Sequence, residues 1–189
     1  MNQKAIVRKY ISSIRPLVQA ELDWFKSQPS LSKAVKNAGL AINSEGKRYS
    51  HQRRIKRGLL PRVEKILSKN IKAIERCSSF DELFDLIDVL LMPVDGIEEL
   101  YVYDTSLRIG AKLNLFPTKV YLHAGTRDGA KALGLNGKQK TVKPSDLPND
   151  YHILKPHEIE DVLCIFKDEL KQMQHGLTDK ELKRRSWCG

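Results

Sequence analysis

The chain has 189 residues, 41% hydrophobic and 30% charged, with a net charge of +10. That length carries a substantial core, while no apolar run approaches the roughly 20 residues that a membrane-spanning helix needs, and Lys4, Arg8 and Lys9 are followed by no apolar stretch and cleavage site of a secretion signal. Cys77, Cys164 and Cys188 are odd in number and lack metal-ligand spacing, so neither a disulfide framework nor a metal site is expected, and a reducing cytoplasm is.

The charge is unevenly distributed. Residues 1–76 hold 18 Lys+Arg against 5 Asp+Glu, whereas residues 77–104 hold no Lys or Arg and 8 acidic residues. A basic first third beside an acidic belt suits either a nucleic-acid footprint or packing of one against the other.

In chain order, Ile6, Tyr10, Ile14, Val18 and Leu22 recur every fourth residue and predict a helix over 3–27, kinked or divided at Pro16. Ser30 or Ser32 can cap a second helix reaching Asn37 or Ala38, stopped by Gly39. After a loop at 41–46 comes the segment 47–57, with Lys47, Arg48, His51, Gln52, Arg53, Arg54, Lys56 and Arg57, and Tyr49 interleaved. Six Lys and Arg within eleven residues repel one another inside a Debye length of about 8 Å. Phosphates relieve that repulsion, and Arg and Gln can also read base edges. A solvated loop salt-bridged to the acidic belt is the alternative.

Pro61 predicts the start of a long helix over 61–76. Ser79-Phe80-Asp81-Glu82 reads as a capping box for a helix over 80–91. Asp81, Asp85 and Asp88 share a face of it, a trio expected to be solvated rather than to hold a cation. Asp95-Gly96 marks a turn, Ile97–Leu100 one helical turn, and Asp104 or Thr105 a cap for a helix over 104–115. The run 120–125 is too short for periodicity to assign. Thr126 can cap a helix through Leu133, ended by Gly134. The stretch 134–150 reads as a polar loop, and Pro156 opens a helix over 156–173. Beyond it, 177–182 can add a helical turn, and the tail carries Lys183, Arg184, Arg185 and Trp187.

Within 97–113 the pattern resembles the helix-hairpin-helix motif of DNA-binding and DNA-repair proteins. Leu100 matches the first helix end, Val102, Tyr103 and Asp104 the hairpin, and Thr105 and Ser106 the second helix start, although both usual hairpin glycines are missing. The resemblance implies backbone N–H groups presented to a DNA phosphate. It does not extend to a glycosylase, because Asp128 and Lys131 do not reproduce the catalytic spacing of that class. A second candidate follows the ambiguous run: Gly125, Thr126 and Arg127 can form an anion site at a helix start, with His123 as an acid or base. No nucleotide-binding glycine motif is present, so no cofactor is expected.

These readings predict an all-α chain: one helical domain over 1–174, with a basic portion at 1–76 and a central corner at 95–134, and a tail at 175–189. The expected function is nucleic-acid binding through the 47–57 segment. The alternatives are an enzyme acting on nucleic acid or a phosphorylated small molecule near Asp104, His123 and Arg127, and a module for an acidic protein partner.

Overall fold

The computed structural model describes residues 2–173; the helical turn expected at 177–182 and the basic tail lie outside them. The described residues are mostly α-helical, with one two-stranded sheet. They group into two compact units, one contiguous over Pro16–Pro117, the other built from the residues up to Arg15 and from Thr118 onward.

The N-terminal helical run starts at α1 (Gln3–Lys9), where the Asn2 side chain accepts from the Ala5 N–H. It widens to a π-turn over Tyr10–Ile14, closed by the Arg15 N–H on the Tyr10 carbonyl, and continues as α2 (Arg15–Lys26). Pro16 is the reason. It has no N–H to give the carbonyl four residues earlier, and its ring crowds that carbonyl. The helix responds with a π-turn rather than a full break.

In the Pro16–Pro117 unit, α2 is followed by α3 (Leu31–Gly39), which Ser30 caps by accepting from the Lys33 N–H. The helix expected from Pro61 begins two residues earlier, as α4 (Leu59–Lys69). Pro61 thus sits within its first turn, where a missing N–H costs nothing. Asn70 then leaves helical geometry and turns its side-chain amide onto the Ile66 carbonyl, so a separate α5 (Ile71–Glu75) follows. Ser79 caps α6 (Phe80–Leu91) as expected, accepting from the Glu82 N–H, but the Glu82 carboxylate accepts from the Ser78 N–H and hydroxyl, one residue before the position that the expected capping box uses. On that helix Asp85 is exposed, and Asp81 and Asp88 are half-buried.

The largest correction concerns 97–113. Residues Glu99–Leu113 form one continuous helix, α7, so Val102, Tyr103 and Asp104 lie in a helix interior and not in a hairpin. Tyr101, Val102, Tyr103, Thr105, Ser106, Ile109 and Ala111 are all buried. A helix enclosed nearly all round shows no amphipathic stripe, and the Asp-Thr pair then imitates a cap. Around α7 the core gathers Phe25, Val35, Leu67, Leu83 and Ile87, and the Tyr101 hydroxyl donates to the Gly39 carbonyl at 2.5 Å.

In the other unit, residues 120–121 form β1 (Val120–Tyr121), paired antiparallel with β2 (Thr141–Val142) in the register Val120↔Val142. Between them lies α8 (Ala124–Ala132). Short 3₁₀ turns at Pro144–Asp146 and Asn149–Tyr151 lead to α9 (Pro156–Ile165), and helical backbone resumes at 167–173 after a turn at Phe166. The core joins Ile6, Val7 and Tyr10 of the N-terminal run to Val120, Leu122, Ala130, Val142, Tyr151, Val162, Leu163 and Phe166. Polar contacts fix the same pairing. The Tyr10 hydroxyl donates to Asp161 at 2.7 Å, and Arg15 holds Glu158 at 2.7 Å. Helices α8 and α9 touch at Gly129, where a Cβ would lie 2.1 Å from the Leu163 carbonyl oxygen. Only a residue without a side chain allows that approach.

Candidate nucleic-acid interface

The basic segment hangs from α3 as a short irregular excursion. Ile42 and Arg48 form an isolated antiparallel bridge. The turn between them is tied by the Asn43 N–H on the Lys47 carbonyl and the Lys47 N–H on the Asn43 side chain, both at 2.8 Å. Gly46 has φ +72° at its tip, in the left-handed region that costs glycine little. The chain then makes a 3₁₀ turn over Ser50–Gln52 and reaches α4.

One carboxylate anchors this excursion. Asp104, projecting from α7, pairs through Oδ2 with His51 Nε2 at 2.7 Å, Gln52 Nε2 at 2.6 Å and Arg108 Nη2 at 3.2 Å. Arg108 also donates to the Gln52 side-chain oxygen at 3.1 Å and stacks over the Tyr49 ring, 3.7 Å from its centroid. The Tyr49 hydroxyl donates to Glu21 at 2.7 Å. Arg48 closes the loop on itself, donating to the backbone carbonyls of Gln52 and Ile55.

The segment therefore divides by role. Gln52, expected to contact nucleic acid, is only 2% exposed, and both ends of its amide are engaged inside, on Asp104 and Arg108. It is removed from the interface. Arg48 and His51 act first as braces of the loop. Lys47, Arg53, Arg54, Lys56 and Arg57 are exposed. With Arg48 and Ile55 these five line a concavity of about 540 Å³. Lys47 has an ion pair with Glu45, both side chains well in solvent, and such a pair contributes little. Among the described residues no ion pair joins Arg53, Arg54, Lys56 or Arg57 to the acidic belt. Burial, and then the neighbouring charge of Arg57, push the Arg48 guanidinium below its ordinary pKa. Cationic crowding of this kind favours a bound anion.

The second candidate belongs to the other unit. His123, not Thr126, is the N-cap of α8. Thr126 is fully buried, and its hydroxyl is spent inside the turn: it accepts from the His123 N–H at 2.6 Å and donates to the His123 carbonyl at 2.9 Å. That hydroxyl is not offered to an anion. Gly125 does serve a close approach, but to the chain's own Cys164, whose sulfur lies 3.0 Å from where a Cβ would stand. Arg127 is half-buried, and the adjacent Asp128 pairs with Lys171 at 2.9 Å. The His123 ring pairs through Nε2 with Glu160, and both are buried. Asp104 thus sits in the Pro16–Pro117 unit among its loop donors, and His123 and Arg127 in the other unit.

Two partners escaped the sequence. The first, Arg108, was detectable, because Asp104 and Arg108 lie four apart on a helix, the spacing of an ion pair. The second, Glu160, lies 37 residues from His123, and no local pattern joins them. Compared with protein families, curated proteins and solved structures, the chain finds no match.

Proposed function

We propose that the protein binds nucleic acid, seating backbone phosphates on the concave face of the 47–57 loop. The observation that carries this reading is the group Arg53, Arg54, Lys56 and Arg57: exposed, gathered on one concavity with Arg48, and without ion pairs among the described residues. The nearby carboxylate of Asp104 is occupied by three donors from His51, Gln52 and Arg108, so it does little to neutralise the outer arginines. Phosphate oxygens match the guanidinium fork in geometry and charge. With Gln52 turned inward, the side chains that remain outside are phosphate-contacting cations, which position a nucleic acid without reading its sequence.

The test is binding to a duplex and to a single strand across a salt series, for the wild type and for Arg53→Ala with Arg54→Ala. Each phosphate contact contributes about −0.9 to the slope of log affinity against log salt on duplex DNA. The double variant should therefore bind more weakly, with a slope flatter by about two. Its melting temperature should stay near that of the wild type, because neither side chain braces the loop. Equal affinity and equal slope in the two proteins would remove this loop from any binding site.

A further inference from the structure

The chain brings three chemically distinct ligating groups together away from the basic loop. The His123 imidazole, the Glu160 carboxylate and the Cys164 thiol each offer an atom within 4.8 Å of the other two. We propose that these three residues hold a single divalent transition-metal ion of the zinc class.

The framework is suited to it. Glu160 and Cys164 are four residues apart on α9, which sets them one turn apart on the same face of the helix. His123 stands across from them as the N-cap of α8. Two glycines bring the helices into contact: Gly129 against the Leu163 backbone, and Gly125 against the Cys164 sulfur. A side chain at either position would push the three donors apart.

The chemistry is suited as well. The His123 and Glu160 side chains are only 4% and 6% exposed, and an ionised carboxylate at that depth requires a positive partner. A dication ligated by the neutral ring supplies that charge. Nitrogen, oxygen and sulfur together are a borderline-soft set, which favours zinc over magnesium or calcium. Bonds of about 2.0–2.3 Å in a tetrahedron place donors roughly 3.3–3.8 Å apart, so the cluster needs to contract by about an ångström at its widest, and the hydrogen-bonded His123–Glu160 pair needs to open around the ion. Three protein ligands also leave one tetrahedral position for water, and Cys164, the half-exposed member, gives that position a way to solvent.

The test uses the full chain stripped of metal, titrated with Zn²⁺ against a chromophoric chelator and with Co²⁺ followed by absorption. The expected result is one equivalent bound, protons released on binding, and a thiolate-to-cobalt charge-transfer band. Cys164→Ser should abolish that band, whereas Cys77→Ser and Cys188→Ser should leave it intact. Losing a partner that merely supports a ligand costs about 10- to 100-fold in affinity, so His123→Asn, Glu160→Gln and Cys164→Ser should each cost at least roughly 100-fold. Circular dichroism of the metal-free variants separates a lost ligand from a lost fold, and any one folded variant suffices for the comparison. Absence of stoichiometric binding in the wild type, or a cobalt spectrum unchanged by Cys164→Ser, would overturn the proposal.

Discussion

His157 makes the fold of its unit sensitive to mild acid. The residue lies in the first turn of α9, 3% exposed. Burial lowers its pKa from 6.5 to about 4, with Lys155 and Arg15 adding to the effect and Glu158 opposing it. The ring is therefore neutral in the folded chain and titrates near its ordinary value in the unfolded one. Above pH 6.5 both states are neutral, and the full stability is present. As pH falls from 6.5 towards 4, the unfolded chain takes up a proton that the folded chain refuses, and stability is lost. At about 1.4 kcal/mol per pH unit, the loss across that window is about 3 kcal/mol, a large share of the stability of a small domain. The assay is urea unfolding followed by far-ultraviolet circular dichroism from pH 7.5 to 4, for the wild type and for His157→Gln. Carboxylates titrating in the lower part of the range act on both proteins, so the difference between the two curves isolates the imidazole. That difference should shrink the wild type's stability, relative to the variant, by about 3 kcal/mol over the window. Parallel curves would refute the reasoning, because they would mean that His157 takes its proton as readily folded as unfolded.

Two further substitutions probe the packing and the brace. Gly129→Ala would put a methyl 2.1 Å from the Leu163 carbonyl, and should cost more than about 4 kcal/mol, the range of severe core strain; chemical denaturation of the variant measures it, and wild-type stability would disprove the close helix contact. Asp104→Asn keeps the size of the side chain but removes the charge that three donors share. It should cost about 2 kcal/mol and speed tryptic cleavage at Arg53 and Arg54, which limited proteolysis at fixed time points would show.

What the sequence discloses and what it hides follow from how far apart the interacting residues lie. The caps at Ser30 and Ser79 act on N–H groups three residues away, and both were readable. So were the apolar stripes of α2, α4 and α6, because each of those helices keeps a wet face. The α7 helix has almost none, and the Asp104-Thr105 pair inside it imitates a cap, so the sequence pattern starts at Asp104 an element that begins at Glu99. Its true partners stand 52 and 53 residues earlier, at Gln52 and His51. Composition identified the 47–57 segment as cationic, but it could not divide the side chains that brace the loop from those that face outward. The two-residue strands carry too few positions for an alternation to register. The three donors of the candidate metal centre come from α9 and from the N-cap of α8, and cysteine spacing, which compares cysteines only with one another, is blind to them.

The N-terminal helical run meets α9 across 151 residues of chain at Tyr10–Asp161, and across 143 at Arg15–Glu158. This gives synthesis an order. The Pro16–Pro117 unit is contiguous and can close its core once α7 has been made. Ile6, Val7 and Tyr10, although made first, have to wait for the last helices of their own core. At about 5–20 residues per second, that wait lasts roughly 10–30 s. Throughout it the helix bearing those three side chains keeps an apolar face without its native cover. That exposure ends only when α9 arrives.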